Sequence, residues 1–418
     1  MILKAYKTQL TPNNSQITKM RMNCGASRFA FNWALSKKKE FFDKKERIPN
    51  NIELHREINK LKGTDVLPWA YKDGISKCAF QESLRDCDKA FAFFFARCKK
   101  KVKGSKGFPK FKSKKNDKQS FRLTGTIHIL DGYIQLPRLG KIKLTESDYI
   151  PKDVKILSAT VSKRADKWFV SVQVEEHDIE PIAAVNAVIG IDLGIKMLAT
   201  CSDGTTYANP KALKKNLKNL KRKQRQLSKK KKGSKNYGKA KKKLAKLHYR
   251  ISNIRKDTLH KVTTKIISEN QVIVLESLKV SNMMKNHCLA QAISDVGLFE
   301  FRRQIEYKAK WNNRKVVFAD TFFASSKLCS CCGWKNESLT LADRTFECQE
   351  CDNKMDRDMN AAMNLKQFYT VSSTGIQACG EQSSEKIASL SCSAKQEFNK
   401  KPRVYVLKKP TLDFCKFK

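Results

Sequence analysis

Two Cys-x-x-Cys pairs constrain this chain more than any other feature: Cys329 with Cys332, and Cys348 with Cys351, separated by residues 333–347. A zinc ion takes four tetrahedral ligands, and two knuckles joined by a short hairpin each bring a pair of thiolates to the required separation. Gly333 suits the tight backbone after the first knuckle. Cys331 lies inside that knuckle, where it and the adjacent Cys332 would chelate poorly, so it is read as a bystander. The spacing predicts a four-thiolate zinc ribbon that the rest of the fold must accommodate. The second knuckle then runs at once into "CQECDNKMDRDMNAAMN", residues 348–364, acidic and helical in pattern. Why carboxylates stand beside a structural metal is the question the rest of the chain has to answer.

With 418 residues and 40% apolar content, the chain buries a sizeable core, in roughly two to four domains by length. Its 85 Lys and Arg against 40 Asp and Glu give a net charge of +45, which points to a polyanionic partner. No run approaches the roughly 18 apolar residues of a spanning helix, and Met1 begins no signal-like pattern. Nucleic acid rather than membrane is the expected partner. Of 14 cysteines, five crowd into residues 329–351, which fits a reducing cytoplasm and one metal site better than a disulfide framework.

Periodicity divides the chain. "MILKAYKTQL" reads as a strand, followed by helical patterns over about 17–45, "IELHREINKL" and "CAFQESLRDCDKAFAFFFARCKKK". Past Val102, "IHIL", "YIQL", "GKIKL", "KILSATVSK" and "KWFVSVQVEEH" alternate with period two, with Asp131-Gly132 and Ala165-Asp166 at hairpin positions. These predict antiparallel strands curled into a small barrel, with residues 16–101 as a helical insertion. "VIGIDLGIKMLATCSDGTTYANP" predicts two strands joined at Asp203-Gly204. Leu213, Leu217, Leu220 and Leu227, then Leu244, Leu247, Ile251 and Ile254, predict a helical hairpin with lysine-rich outer faces. "QVIVLESL" reads as a buried parallel strand, followed by a helix over about 296–313, the strand "KVVFAD", the cysteines and a closing helix over about 357–368. The remainder reads as a flexible tail.

Acidic residues stand at informative places on three elements: Asp192 in "GIDLG", Glu276 ending "VIVLE", and Asp358 in "DRDMNAAMN". Each alone is an ordinary strand-end or surface acid. Two sit in apolar strands, where a carboxylate is costly unless paired or metal-bound. Together they suit a pair of divalent cations about 4 Å apart, which needs several hard oxygen ligands and activates water against phosphodiesters. Gly190 and Gly194 flank Asp192 and allow another backbone or a phosphate to come close. Asp356 and Asp358 diverge by about 200° on a helix, so only one faces such a site. Ala361, Ala362 and Leu365 share the face of Asp358, leaving Asp356 at the helix start. In "GFPKFKSKKNDKQSFRL", Phe108, Phe111 and Phe121 stand among lysines, either as stacking platforms for bases or as core.

With these residues in view, the chain resembles the transposon-encoded TnpB family, relatives of compact type V CRISPR effectors. The carriers are "GIDLGIK", "VLESLKV", "SSKLCSCCG", "CQEC" and "DRDMNAAMNL", in the family's order and spacing, with weaker support from "GFPKFKSKK" and "TGIQACGE". The resemblance implies a multidomain α/β protein: an RNase-H-like (RuvC) mixed sheet with an inserted zinc ribbon, and an N-terminal antiparallel β-barrel carrying a helical insertion. The expected domains are a barrel or wedge of 1–15 and 102–180, and a helical recognition domain of 16–101. A nuclease domain of 181–325 and 352–368 follows, with its basic hairpin at 211–265, then a ribbon of 326–351 and a tail of 369–418. The implied activity is RNA-guided cleavage of DNA beside a short fixed motif. Asp192, Glu276 and Asp358 would be the catalytic triad, holding Mg2+, with two ions expected. Cys329, Cys332, Cys348 and Cys351 would hold Zn2+. The implied partners are a guide RNA and target double-stranded DNA, in a monomeric ribonucleoprotein of the prokaryotic cytoplasm. A non-catalytic RNA-guided repressor, or a transposase acting directly on element ends, would share much of this sequence. In this fold the ribbon precedes the last catalytic helix, so its second knuckle ends where the third carboxylate is delivered.

Overall fold

The computed structural model describes residues 2–100, 107–114, 119–177, 186–340, 342–373 and 404–405. The chain divides into two compact units, residues 1–178 and 179–418, taken here in turn.

The first unit opens with β1 (Ile2–Thr11), then three helices, α1 (Asn14–Asp43), α2 (Asn51–Leu61) and α3 (Lys77–Lys99). Asn13 starts α1 with a capping box: its side chain accepts from the Gln16 amide at 2.9 Å, and Gln16 answers the Asn13 amide at 3.0 Å. Asn50 and Glu53 do the same for α2. Six strands follow: β2 (Gln119–Leu123), β3 (His128–Leu130), β4 (Tyr133–Leu136), β5 (Gly140–Leu144), β6 (Lys155–Arg164) and β7 (Lys167–Glu176). They join β1 in one antiparallel sheet ordered β2-β6-β7-β1-β5-β4-β3. The β6–β7 hairpin turns on Ala165 and Asp166, with φ of 50° and 65°, as a type I′ turn demands even without glycine.

The expected barrel is not closed by hydrogen bonds. β2 and β3 are the two edges of the sheet, and no pairing joins them among the described residues. Yet they are consecutive in sequence, linked by Thr124–Ile127, so the edges stand within roughly 18 Å of each other. The sheet is curled, and β3, only three residues long, offers too little ladder to seal it. Phe121, one of the candidate base platforms, is core, 2% exposed on β2. Phe108 packs against Phe42, Phe91 and Phe94, which leaves Phe111 alone of the three exposed.

The second unit begins with β8 (Asn186–Asp192), β9 (Met197–Cys201) and β10 (Thr206–Ala208). Where two strands were expected there are three, because the loop 193–196 breaks the first run before the Asp203-Gly204 turn. Helices α4 (Ala212–Ser228) and α5 (Lys235–Glu269) form the basic hairpin, sealed by Leu220, Leu247 and Ile251. Asp295 ties its base: the carboxylate accepts from the Leu213 amide at 2.9 Å and from Arg255 at 2.9 Å. Then come β11 (Asn270–Glu276), α6 (Val280–Met283), α7 (His287–Val296), α8 (Leu298–Trp311) and β12 (Lys315–Ala319). The cysteine region carries β13 (Thr345–Glu347) and β14 (Lys354–Asp356), and α9 (Arg357–Ser373) closes the run. The last strand, β15 (Val404–Tyr405), pairs in parallel with Thr206–Tyr207. The rest of the expected tail, 374–403 and 406–418, lies outside the described residues.

The sheet order is β12-β11-β8-β9-β10-β15, with β12, β11 and β8 mutually parallel. Alternation assigns its two faces. Ile189, Ile191, Ile273 and Leu275 point into a core with Leu259, Ile266, Phe301 and Ile305 of α5 and α8. Val188, Val272 and Val274 point the other way, toward Leu365 of α9. Among the described residues, no helix is long and apolar enough to cross a membrane.

Candidate active site

The same alternation places the carboxylates. Asp192 continues the series Val188, Gly190, and Glu276 continues Val272, Val274, so both belong to the face that α9 covers. Leu275 pairs with Ile191 in the β11–β8 ladder, which sets Glu276 and Asp192 at the matching C-terminal ends of neighbouring parallel strands. Gly190 brings α9 down onto them. A Cβ at this position would stand 2.1 Å from the Ala362 carbonyl oxygen and 2.4 Å from the Lys366 amide nitrogen, so only glycine admits the helix at this depth. Ala361, Ala362 and Leu365 are buried beneath it, as the sequence predicts.

Asp358 lies in the first turn of α9. Asp356, two residues earlier, accepts from the amides of Asp358 at 2.9 Å and Met359 at 3.2 Å, the arrangement of an N-cap. The carboxyl of Asp192 is pushed up to about 8, first by burial and then by the negative charges of Glu276 and Asp358; Arg357 acts in the opposite direction. The three acids are thus within electrostatic reach. Arg357 also stands 3.5 Å from Asp358. Three hard carboxylate donors from neighbouring elements are a donor set suited to Mg2+.

The four predicted thiolates converge. The sulfurs of Cys329, Cys332, Cys348 and Cys351 all lie within 4.8 Å of one another, with Cys329–Cys351 at 3.7 Å and Cys332–Cys348 at 3.5 Å. Bonds of about 2.3 Å to a tetrahedral zinc imply sulfur separations of roughly 3.8 Å, so the set fits one ion. Cys331 is outside the cluster, and its amide donates to the Cys329 sulfur at 3.4 Å. Burial raises the Cys329 thiol, but donors from Cys332, Cys331 and Asn353 outweigh it and hold the group at about 7. Gly333, at φ 82°, makes the tight turn of the first knuckle.

What joins the two constellations was not read from the sequence. Asn360 and Asn364, both buried on one face of α9, bind the chain that leads into the first knuckle. Asn360 accepts from the Ser330 amide at 2.9 Å and donates to the Leu328 carbonyl at 2.6 Å. Asn364 donates to the carbonyls of Ser325 and Leu328, each at 2.7 Å, and Gln367 donates to that of Ser330 at 2.7 Å. Ser325, fixed in this way, donates from its hydroxyl to Glu276. The available signal was the polar spacing Asn360, Asn364, Gln367 along an otherwise apolar face. Elsewhere in the unit, Lys218, Lys221, Arg222, Arg225 and Lys229 of the hairpin line a recess of about 500 Å3.

Comparison with known proteins places the chain. Family models match residues 171–287 ("Probable transposase"), 299–365 ("Cas12f1-like, TNB domain") and 1–47 ("Helix-turn-helix domain"). In this chain the last segment is one strand and one long helix. A protein of Streptomyces pristinaespiralis named "Putative RNA-guided DNA endonuclease" is 34% identical over 91% of this chain and 92% of its own length. The Escherichia coli protein InsQ, under the same description, is 34% identical over 91% of this chain and 94% of its own. The fold resembles that in the cryo-EM structure of a Cas12f1-sgRNA-target DNA complex, with a TM-score of 0.52 at 16% identity, covering 84% of this chain and 82% of that one. Identity at this level over nearly full length on both sides means that the chain belongs to the TnpB family.

Proposed function

We propose that this chain is an RNA-guided DNA endonuclease whose sheet and α9 form an RNase-H-like (RuvC) nuclease domain, with Asp192, Glu276 and Asp358 as its metal-holding residues. The observation that carries the reading is the placement of these three acids at the matching ends of two neighbouring parallel strands and the start of the helix that packs on them, where burial and the charges of Glu276 and Asp358 raise the Asp192 carboxyl. The names of the relatives support the guide and the DNA substrate. We further assign Cys329, Cys332, Cys348 and Cys351 to a structural Zn2+, residues 16–101 to a helical recognition domain, and 1–15 with 102–180 to a wedge domain.

When bound, a pair of Mg2+ ions supplies Lewis acidity to phosphoryl oxygens and an activated water for in-line attack. The chain's own groups do the rest. Asp192, Glu276 and Asp358 hold the cations, and Ser325 fixes one Glu276 oxygen. Arg357 offsets negative charge beside Asp358. The lysine-rich hairpin grips the nucleic-acid backbone without regard to sequence, and guide pairing supplies the address.

The test is to purify the protein, sequence the RNA that accompanies it, and offer matched duplex DNA with Mg2+ across a randomised flanking motif. Cleavage beside one flanking motif is expected. No cleavage of any matched target overturns the reading, and joining of ends by RNA-free protein replaces it with a transposase that acts on element ends directly.

A further inference from the structure

Phe322 is 94% exposed, the most exposed of the large apolar side chains among the described residues. Its neighbour does the opposite. Phe323 packs its ring 5.1 Å from that of Phe368 on α9 and joins the cluster around Val274, Ala319 and Leu365. The turn between them is fixed, since the Phe323 amide donates to the Asp320 carbonyl at 3.0 Å and the Ser325 amide to the Phe323 carbonyl at 3.0 Å. An anchored aromatic thus holds a second one out in solvent.

The position of this turn is informative. Ala319 pairs with Glu276 across the β11–β12 ladder, and Ser325 donates its hydroxyl to the same Glu276. Both ends of the loop are therefore pinned at one residue, Ala319 beside the Glu276 backbone and Ser325 at its carboxylate. Phe322 lies three residues from either end, so its backbone is within roughly 10 Å of each. That is a reach of a few nucleotides along a strand.

We propose that Phe322 is a stacking platform for an unpaired nucleobase of the DNA strand whose phosphodiester lies at the carboxylates. The inference rests on the reading of Asp192, Glu276 and Asp358 as the cleavage site. A benzyl ring has no donor or acceptor with which to read a base edge, but it stacks on the face of any base. An enzyme addressed by guide pairing needs this sequence-blind grip at the point of cutting. A duplex hides its base faces, so the platform selects a single strand. The net charge of +45 supplies the complementary attraction for its phosphates.

The test uses the full chain as purified with its RNA, no added divalent cation, and a single-stranded oligonucleotide unrelated to the guide. One version carries 2-aminopurine among normal bases, and the other is abasic throughout its central part. Phe322→Ala is expected to weaken binding of the base-containing strand about 5- to 100-fold. Phe322→Trp should keep that affinity and quench the 2-aminopurine. The abasic strand should bind parent and variants alike. Equal binding of the base-containing strand by parent and Phe322→Ala overturns the proposal, as does an equal loss on the abasic strand. The reading beneath it fails separately: if Asp192→Ala still cuts matched DNA, the carboxylate assignment falls whatever the binding data show.

Discussion

The cysteine cluster and the carboxylate cluster belong to one unit and share α9 as a wall, yet they are built on different principles. The cysteines arrive in pairs on two short knuckles, and their four sulfurs already stand within 4.8 Å of one another. Among the described residues no acidic group is gathered so tightly. The carboxylates come one each from β8, β11 and α9, and their mutual charge is felt as the upward push on Asp192. A ligand set made by local turns is complete once two turns form. A set drawn singly from distant elements exists only through tertiary packing, and here burial and neighbouring charge keep the Asp192 carboxyl raised. The first arrangement suits structure, and the second suits reactivity.

The strongest way to sharpen this contrast is to remove single acids. Asp192→Ala, Glu276→Ala and Asp358→Ala are each expected to slow single-turnover cleavage roughly a thousandfold or more, the loss of several kcal/mol of Lewis-acid stabilisation. Guide and target binding should be almost unchanged in filter or gel-shift assays. Asp356→Ala should still cut while losing about 1 kcal/mol of helix-cap stability. Full activity in Asp358→Ala with none in Asp356→Ala would reverse the assignment of the two aspartates.

Disrupting the other set acts at a distance. Cys332→Ser or Cys351→Ser should lose zinc by elemental analysis, lower the thermal transition, and reduce cleavage about 10- to 100-fold through the start of α9. Wild-type cleavage by a zinc-free variant would show that the two clusters are independent.

The link between them can be cut alone. Asn364→Ala orphans the carbonyl of Ser325, at about 1–3 kcal/mol, leaves that of Leu328 with Asn360 alone, and should lower the unfolding midpoint with zinc retained. Ser325→Ala should leave stability nearly intact but slow cleavage about tenfold, with Ser325→Thr restoring it. A purely structural serine would not show that split.

The remaining contrast is a pH dependence of stability. The Asp192 carboxyl is raised from 3.8 to about 8, so between those values the native state holds a proton that the unfolded chain has released. Without added divalent cation, stability contributed by this group therefore falls as pH rises through that window and levels off above it. Asp192→Asn should flatten this part of a thermal-denaturation profile, and Mg2+ should raise the midpoint more at pH 8 than at pH 5. A flat parent profile, or an unchanged slope in Asp192→Asn, counts against it.

Much of this was legible before folding. Cys329, Cys332, Cys348 and Cys351 announce themselves by spacing, because each knuckle is a local object. β8 and β11 were visible as apolar runs, and the place of Asp356 at the start of α9 followed from helix geometry. The sealing of the curled sheet was not legible, since it depends on whether two short edge strands meet, which no local pattern encodes. Nor was the role of Phe121, because aromatics among lysines read alike whether they face solvent or core. The Asn360, Asn364 and Ser325 network was hidden for a further reason: its partners are backbone carbonyls and amides, which carry no sequence signature.

The spacing of the carboxylates also orders events during synthesis. Asp192 and Asp358 are 166 residues apart in the chain (358 − 192), and the helix carrying Asp358 can seat against Gly190 only after the cysteine region has emerged. At about 5–20 residues per second, the ribosome delivers the last acid roughly 8–33 seconds after the first. The first unit and the basic hairpin, proposed above to contact nucleic acid, are synthesised well before that. If Asp358 is the third metal-holding residue, a nascent chain can engage RNA for many seconds while it is still unable to cut, and a chain terminated before α9 is a binder without a blade.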